Sequence, residues 1–335
     1  MIITILSGGV GGARFSRGVR EHLRRTMPDG NGGTTADLRI IVNTGDDMWL
    51  AGLRITPDLD SVMYTLAGAN DEERGWGRLG ESERVSAELE AYGVGWPWFT
   101  LGDLDLGTHI ARSSMLRDGI PFGEVVTRIT SRWNLGATLI PMTESEVETH
   151  VVVDPSTDGG DDGNPAELHF QEWWTRYRAS LPARGFVQHG VQESAPAPGV
   201  LEAIEQADVI LVAPSNPVVS IATILAVPGV RDAVAAASAP VIGVSPIIGG
   251  AVVRGMADAC LAAIGVATDA AAVAEHYGSR SSGGLLDGWL VDDADSASIP
   301  RLESLGLRAA AVPLYLRDPD TSAGLAADAL ALADR

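Results

Sequence analysis

The chain has 335 residues, of which 45% are hydrophobic, which is enough for one large domain with an insertion or for two domains. Its formal net charge of −20 argues against nucleic-acid and anionic-membrane partners, because both bind a basic face. All 24 basic residues are arginine, which excludes a Walker A lysine, a Schiff-base lysine and a lysine general base, so a bound phosphate must be neutralised by arginine, backbone N–H groups or a metal ion.

The chain opens with an apolar strand and a glycine-rich segment. Residues 2–6 (IITIL) predict a short buried strand, and SGGVGGARF follows at 7–15 before apolar residues repeat at helical spacing. We interpret the glycine-rich segment as a phosphate-binding loop that leads into a helix N-terminus, and a plain tight turn is the alternative. The loop residues are Gly8, Gly9, Val10, Gly11 and Gly12.

Two details disfavour a nicotinamide site. A dinucleotide fingerprint beginning at Gly9 would need a third glycine where Arg14 stands. The second predicted strand, LRIIVN at 38–43, ends in Asn43 instead of the acid that usually binds the ribose. Strand, loop, helix and strand nevertheless form a βαβ unit.

The second strand leads into the sequence NTGDDMW. Asn43 and Thr44 are polar groups at the carboxyl end of a strand, where open α/β sheets bind ligands. Asp46 and Asp47 would repel a neighbouring polyphosphate unless a divalent cation lay between them, so they are candidate Mg²⁺ ligands. An Asx-type turn with solvated acids is the alternative.

Residues 58–135 carry helical patterns and predict a helical insertion that covers the site. Its first motif, PDLDSVMYTLAG, supplies Asp58, which is accounted for as a helix-start residue, and Asp60, which remains available for the metal or for a hydroxyl. Further along, His109 and Arg112 share a helix face in LGDLDLGTHIARS. A lone histidine is more often structural than functional, and His109 is a candidate on those terms.

Residues 136–199 predict short strands attached to the core (ATLIPM, VETHVVVD, AELHFQEW), together with an acidic loop at 154–165. The loop is similar to a calcium loop, but its twelfth position is Pro165, where a bidentate glutamate is required. We interpret it as a flexible acidic loop.

Residues 200–335 return to the strand–helix alternation of residues 1–57. The apolar runs ADVILVAP, APVIGVSP, DGWLVDD and LRAAAVPLYL alternate with alanine-rich stretches and predict a parallel sheet covered on both faces. These two ranges therefore predict a Rossmann-like, three-layer α/β core. Ser215 and Asn216 follow the first of the late strands and are either a helix N-cap or a second contact for phosphate or ribose.

We expect a cytoplasmic protein without an intramolecular disulfide. The opening run lacks a basic leader, and no apolar run reaches the roughly 18 residues that span a membrane. The single cysteine, Cys260, lies in the helix-like sequence MADACLAAIG and indicates a small buried hydrophobe rather than a nucleophile.

In chain order, the segments GGVGG, NTGDD, PDLDSVMYTLAG, GDLDLGTHI, IPMTE, HFQEWW, PSNPVVSI and VSPIIGG resemble the 2-phospho-L-lactate transferase family of coenzyme F-420 biosynthesis. The similarity runs over residues 2–293 and is more specific than any single motif. It implies a metal-dependent transfer from a guanosine-diphospho donor: the β-phosphoryl group, carrying lactate or enolpyruvate, passes to the terminal ribityl hydroxyl of the deazaflavin Fo, and GMP leaves. It also implies a homodimer, and the lysine-free composition is compatible with the actinobacterial phosphoenolpyruvate transferases.

The resemblance further implies residue roles. The loop from Gly8 to Gly12 would hold the donor's phosphates, as in GDP, and Asp60 and Asp47 would act at the acceptor hydroxyl. The expected Mg²⁺ ligands are Asp46, Asp47 and Asp60. Further substrate contacts are expected from Asn43, Thr44, Thr100, His109, Ser215 and Asn216. Thr100 departs from the family pattern, in which a basic residue often precedes LGD.

Two other functions compete with the transferase. A nicotinamide-dependent dehydrogenase is disfavoured by Arg14 and Asn43. A non-catalytic nucleotide-sugar-binding regulator of the gluconeogenesis-factor type would share the fold and the glycine loop, but it would have no use for the aspartate set. The choice between a lactyl and an enolpyruvyl donor stays open, since the two differ only beyond the β-phosphate.

Overall fold

The computed structural model describes residues 1–154 and 166–334. Its strands are β1 (Ile2–Ser7), β2 (Asp37–Val42), β3 (Met48–Leu50), β4 (Leu53–Ile55), β5 (Thr138–Pro141), β6 (Glu148–Val153), β7 (Ala166–His169), β8 (Ala183–His189), β9 (Val209–Val212), β10 (Val241–Val244), β11 (Ile247–Ile248), β12 (Ala251–Val252), β13 (Gly288–Val291) and β14 (Arg308–Ala311).

The α-helices are α1 (Gly9–Thr26), α2 (Pro57–Ala67), α3 (Arg84–Ala91), α4 (Asp103–Arg117), α5 (Phe122–Thr130), α6 (Val200–Glu205), α7 (Ala222–Ala226), α8 (Val230–Ala236), α9 (Ala257–Ala263), α10 (Ala270–Tyr277), α11 (Ile299–Ser304) and α12 (Pro319–Ala333). Short π-helical segments lie at Glu172–Arg176 and Pro217–Ile221, and short 3-10 segments lie at Arg280–Ser282 and Asp293–Ser298.

A seven-stranded sheet in the order β14-β13-β10-β9-β1-β2-β5 forms the centre of the molecule. Every neighbouring pair in it is parallel. The chain builds outward from β1 through β2 to β5, then returns to β9 and builds outward through β14 on the other side. The predicted Rossmann-like α/β fold is confirmed, and the order of the strands reverses between β1 and β9.

Helices cover both faces of this sheet, because successive strand residues point to opposite sides. On β1, Ile3 and Ile5 join one buried cluster together with apolar residues of α1, α2, α5 and α12. Leu6 joins the other cluster, with residues of α6, α8 and α10. The helices α2 and α5 fall within the predicted insertion, yet they pack in the sheet's own core. A third, small cluster joins the β3–β4 hairpin to residues 101–106.

Several local predictions need correction. The glycine-rich loop is shorter than predicted, because only Gly8 separates β1 from α1 and the helix begins at Gly9. The hairpin of β3 and β4 was not predicted, because strands of three residues give too short a pattern. Strand β8 was also missed; it pairs with β6, and β7 pairs on the other side of β6.

The acidic loop predicted as flexible lies almost entirely outside the described residues, which resume at β7 after residue 154. Among the described residues, no single helix is both long and apolar enough to cross a membrane, and Pro217–Ala226 with α8 meets that criterion only as a pair bent by 90°. Cys260 is buried in α9, as predicted, and burial raises the pKa of its thiol to about 12.

Candidate active site

A cleft of about 660 Å³ opens at the carboxyl edge of the central sheet. It includes the chain that follows β1, β2, β9, β10 and β14, and therefore spans the point where the strand order reverses. Open α/β sheets bind their ligands at such a point. The predicted site residues that line the cleft are Gly8, Gly9, Val10, Gly11, Asp46, Asp60, Thr100, His109, Ser215 and Asn216. Those outside the lining are Gly12, Asn43, Thr44 and Asp47.

The glycines at the start of α1 are required by close packing. A Cβ atom on Gly11 would lie 2.6 Å from the carbonyl oxygen of Pro214, and one on Gly12 would lie 2.5 Å from Ser215 Oγ. Gly9 has φ of +62°, a conformation that favours glycine. The alternative of a turn thus explains part of the glycine pattern, although the N-terminus of α1 does face the cleft.

Two of the backbone N–H groups at this helix start are already used. The Gly8 N–H donates to Ser215 Oγ at 3.0 Å, and the Ser215 hydroxyl donates to the Gly8 carbonyl oxygen at 2.7 Å. The Gly9 N–H donates to the carboxylate of Asp58, which lowers the pKa of that acid against the larger effect of burial. A phosphate at this helix end would therefore meet the N–H groups that follow Gly9, together with the helix dipole.

Asp58 is the site residue that the sequence reasoning missed. Beyond Gly9, its Oδ2 accepts from Asn43 Nδ2 at 2.9 Å and from the Ser220 hydroxyl at 3.3 Å. It joins the β1, β2 and β9 ends of the sheet at the base of the cleft. Its place after Pro57 matches a helix start, and that match concealed its tertiary role.

Asn43 and Thr44 are buried beneath the lining. The Asn43 Oδ1 accepts from the Gly45 N–H at 2.9 Å, so the Asx turn considered from the sequence is present. This turn lies between β2 and Asp46, and Asp46 lines the cleft. Asn43 therefore acts as a scaffold for Asp58 and Asp46.

Asp46 is an almost fully buried acid on the cleft wall. Its Oδ1 has no hydrogen-bond partner among the described residues. Burial, Asp58 and Asp47 together raise the pKa of Asp46 well above its usual range. An unpartnered carboxylate oxygen in this position fits a hard cation such as Mg²⁺, which prefers oxygen ligands.

Asp47 lies outside the lining of the cleft and is completely buried. Its nearest cation is Arg54, whose Nη2 lies 3.6 Å from Asp47 Oδ2. Burial raises the pKa of Asp47 well above its usual range, although Arg54 and Arg112 oppose that rise. Neither carboxylate oxygen of Asp47 has a hydrogen-bond partner among the described residues, and its role as a Mg²⁺ ligand and at the acceptor hydroxyl stays a prediction.

Asp60 lines the cleft at the centre of a buried polar network. The Arg112 guanidinium donates to Asp60 Oδ1, and the Thr56 hydroxyl donates to Asp60 Oδ2 at 3.1 Å. His109 Nδ1 lies 3.6 Å from the same Oδ2. The position of Asp60 is therefore fixed by three side chains.

The network continues from His109 to a second acid. His109 Nε2 lies 3.2 Å from Asp105 Oδ2, and the Tyr64 hydroxyl donates to Asp105 Oδ1 at 2.7 Å. One ligand atom each of Asp60, Asp105 and His109 fall within 4.8 Å of one another. Sequence spacing did suggest that His109 and Arg112 share a face, but it gave no sign that Tyr64 closes the network.

The buried acids outnumber the buried cations in this region. The acids are Asp46, Asp47, Asp58, Asp60 and Asp105, and the arginines are Arg54 and Arg112. Five carboxylates against two guanidinium groups leave negative charge that a bound cation or bound protons must compensate. Burial raises the pKa values of Asp46, Asp47 and Asp58, and neighbouring aspartates add to the rise for Asp46 and Asp47.

The lining of the cleft also includes cationic and aromatic side chains. Arg14, Arg254 and Arg317 line it, and burial together with the neighbouring Arg254 lowers the pKa of Arg14. Two arginines close enough to repel each other indicate a place for an anion. The aromatic lining residues are Tyr64, Trp76, Trp98, Phe99, Phe170, Trp174 and Tyr315.

Trp98 lines the cleft, whereas Trp49, Trp96 and Trp173 lie outside the lining. Trp96 stacks on Trp98, with ring centroids 4.6 Å apart. Trp49 donates to Glu146 on the surface, and Trp173 is fully buried with its Nε1 bound to the Leu181 carbonyl oxygen. The sequence order of these residues carried no information on which side of the fold they would face.

Asn216 is a helix N-cap, which is one of the two alternatives that the sequence left open, whereas a contact of Ser215 and Asn216 with phosphate or ribose stays a prediction. Asn216 Oδ1 accepts from the N–H groups of Val218 and Val219, so it caps the following helical segment. Its Nδ2 lies 3.4 Å from Cys260 Sγ, and the residue also lines the cleft.

The chain is similar to one protein family and to several relatives over most of its length. The family described as 2-phospho-L-lactate transferase CofD matches residues 3–308. A phosphoenolpyruvate transferase of Streptomyces coelicolor is 54% identical over 334 residues, covering 100% of this chain and 98% of that protein. Proteins of the same name from Thermobifida fusca and Nocardia farcinica are each 52% identical; they cover 99% of this chain, and 98% and 94% of those proteins. A solved structure, a UPF0052 family member from Bacillus halodurans, covers 98% of both chains with a TM-score of 0.60 at 18% identity, a likeness of fold alone.

Proposed function

Because the chain belongs to the 2-phospho-L-lactate transferase CofD family, we propose that it transfers a phosphoenolpyruvyl or 2-phospho-L-lactyl group in coenzyme F-420 biosynthesis. The donor is a guanosine-diphospho compound and the acceptor is the terminal ribityl hydroxyl of the deazaflavin Fo. A new bond forms between that oxygen and the donor's β-phosphorus, the bond to the α-phosphate oxygen breaks, and GMP leaves with the electron pair. The hydroxyl proton passes to a carboxylate.

The observation that carries this proposal is the position of Asp46. One oxygen of its carboxylate has no hydrogen-bond partner among the described residues, and Asp46 lines the cleft together with the N-terminus of α1, Arg14 and Arg254. Placed next to phosphates, a buried carboxylate would repel them without a cation between the two groups. The proposed cation is Mg²⁺, held by Asp46 with Asp60 as the further cleft-lining aspartate, and when bound it would neutralise charge on the donor's phosphates.

The chain's own residues divide the remaining work. The N-terminus of α1 receives the donor's phosphates, and Arg14 and Arg254 bind its remaining anionic oxygens in place of the absent lysine. Arg112 and Thr56 hold Asp60 in one orientation, so that it can accept the acceptor's proton. Trp98 and Trp174 offer flat surfaces for the deazaflavin ring.

The cleft is large enough for one drug-sized ligand and opens to solvent, where a second ligand would extend. Sites for one drug-sized ligand measure about 300–1,000 Å³, and about 660 Å³ here is accompanied by an opening to solvent. In-line transfer needs the hydroxyl oxygen at about 3–3.5 Å from the phosphorus, so both substrates must be held together. We further propose, from the family resemblance alone, that the enzyme is a cytoplasmic homodimer.

The direct test supplies the purified chain with Mg²⁺, Fo and either donor. GMP should be released in step with a new, more anionic deazaflavin separated by ion-exchange chromatography, and comparison of the two donors decides between lactyl and enolpyruvyl. GMP release without Fo would mean a hydrolase. Nucleotide binding without any GMP release would mean a non-catalytic binder.

Asp46→Asn tests the role of that carboxylate. The substitution should lower turnover at least about 100-fold while the protein stays folded. The reason is the loss of electrostatic stabilisation of the phosphoryl group during transfer. Asp232→Asn, an exposed acid on α8, is the matched control and should keep wild-type turnover. Equal activity of the two variants, or full activity of the wild type in EDTA, would contradict the proposed metal site.

A further inference from the structure

The small antiparallel sheet β7-β6-β8 carries imidazole and carboxylate groups that the transfer reaction does not use. His150 lies on β6, Glu167 on β7 and His189 on β8. One ligand atom of each lies within 4.8 Å of the others. All three residues are outside the lining of the cleft.

The contacts among these side chains bring nitrogen and oxygen ligands together at the surface. His189 Nε2 and Glu167 Oε2 are 2.8 Å apart. The rings of His150 and His189 meet edge to face, with centroids 4.7 Å apart. Glu148 adds a second carboxylate, whose Oε2 lies 3.5 Å from His150 Nε2. The group is partly exposed, so an ion can reach it from solvent.

We propose that His150, Glu167 and His189 form a surface site for a divalent transition-metal ion such as Zn²⁺. Imidazole nitrogens suit Zn²⁺, Ni²⁺ and Cu²⁺, whereas Mg²⁺ prefers oxygen, so this site and the cleft select different ions. Zn–N bonds of about 2.0–2.1 Å place tetrahedral ligands roughly 3.3 Å apart. The ligand atoms must therefore approach by about 1.5 Å at most, which rotation of exposed side chains can supply, and water completes the coordination.

The site has a structural consequence, because its ligands come from three different strands. An ion there joins β7, β6 and β8 through side chains, in addition to their backbone pairing. It also lies near the cleft wall: the His169 ring is 5.5 Å from the His150 ring, and His169 Nδ1 accepts from the N–H of the cleft-lining Gln171. Binding of the ion stabilises the small sheet and, through it, this part of the wall.

Calorimetric titration of Zn²⁺ into the tag-free, EDTA-treated full chain tests the site. The wild type should bind one equivalent, and His150→Asn and His189→Asn should each weaken binding at least about tenfold. His276→Asn, a histidine on α10 away from this sheet, should bind like the wild type. Wild-type affinity in both sheet variants would overturn the proposal.

Two further measurements guard against variants that fold poorly. X-ray absorption of the wild type with one equivalent of Zn²⁺ should show two imidazole ligands; one imidazole would place the ion at Asp60, Asp105 and His109 and overturn the proposal. Zn²⁺ should raise the thermal unfolding temperature of the wild type and of His276→Asn, but not that of the His150→Asn/His189→Asn double variant. An equal rise in the double variant would also overturn it.

Discussion

Arg112 supplies buried positive charge that offsets the buried aspartates beneath the cleft. It is fully buried, binds Asp60, and donates to the Arg54 carbonyl oxygen at 3.1 Å. Its guanidinium also opposes the pKa rise of Asp47. Because a buried charge without its partner is costly, the fold depends on this residue as much as the proposed chemistry does.

Replacing Arg112 with glutamine should therefore lower the free energy of unfolding by about 3 kcal/mol or more. Arg128→Gln is the matched control, since Arg128 forms an exposed pair with Glu124 one helical turn away, and its loss should cost at most about 0.5 kcal/mol. Urea unfolding of both variants measures the difference. Equal losses would show that the buried network contributes no more than a surface pair.

His169 gives a pH dependence that can be assigned to one side chain. Burial lowers its pKa to about 4, from 6.5 in the unfolded chain. Between about pH 4 and pH 6.5, His169 therefore binds a proton in the unfolded state but not in the folded state. The stability associated with neutral His169 is fully present above pH 6.5 and is lost as the pH falls towards 4.

His169→Asn should remove that loss, since the Asn Oδ1 can still accept from the Gln171 N–H. Between pH 7.5 and pH 5 the wild type should lose roughly 2 kcal/mol more than the variant. His189→Asn, at an exposed position on β8, should keep the wild-type dependence. Parallel curves for the wild type and His169→Asn in urea unfolding would contradict the assignment.

For single residues, the sequence predicts which side chains belong to the site better than it predicts which groups they contact. Asp46 was recognisable because two acids follow a strand end near a glycine-rich segment. Asp58 was not, because Pro57-Asp58 satisfies the local rules for a helix start, and only tertiary structure brings Gly9 and Ser220 to its carboxylate. Arg14 was visible only as a missing glycine, although it lines the cleft.

At the scale of secondary-structure elements, the start of α1 packs directly against the segment after β9. The tight approach of Gly11 to the Pro214 carbonyl oxygen couples the start of the helix to the residues around Ser215. A larger residue at Gly11 must therefore displace backbone as well as any phosphate. Loss of nucleotide affinity in such a variant is informative only beside a measurement of stability.

Gly11→Ala should lower the free energy of unfolding by about 1–3 kcal/mol and weaken GDP binding at least about tenfold. Gly107→Ala, at an exposed position of α4 with free space around its Cβ position, should instead stabilise by up to about 1 kcal/mol and leave GDP binding unchanged. Urea unfolding and calorimetry give both quantities. Reduced stability with unchanged GDP affinity would mean that the glycines serve packing alone.

The elements of the sheet were predictable because long apolar runs report buried parallel strands directly. The β3–β4 hairpin was not, since Met48–Leu50 and Leu53–Ile55 are too short for a periodicity. Its signal is the two-residue connection Ala51-Gly52, both with positive φ, which is the backbone of a tight hairpin turn.

At the scale of the whole molecule, the buried central sheet differs in exposure from a segment that lines part of the cleft. We define the cap as residues 70–101. Its helix α3, which the structure describes in full, has no buried residue. The cap nevertheless contacts α1 and the segment after β12, because Glu72 pairs with Arg17 of α1, and Arg254 Nη2 donates to the Arg74 carbonyl oxygen at 3.2 Å.

Few buried groups and only a few bridging contacts give the cap a low free energy of local opening. A ligand in the cleft would add contacts to Trp76, Trp98 and Thr100, all of them lining residues within the cap. Closure of this segment over the strand ends would also exclude water, which a phosphoryl transferase must do to avoid hydrolysing its donor.

Binding of donor nucleotide should therefore slow amide hydrogen exchange across residues 70–101 by about tenfold or more. The reason is that opening of the cap would break its contacts with the bound ligand, which raises the free energy of opening. The exposed turn at residues 28–34, remote from the cleft lining, is the internal control and should exchange at the same rate with and without ligand. Mass-spectrometric exchange with saturating GDP, then with GDP and Fo, measures both segments together. Protection of residues 8–14 without protection of the cap would show that the nucleotide binds to an open cleft, and the exclusion of water would then have to come from Fo itself.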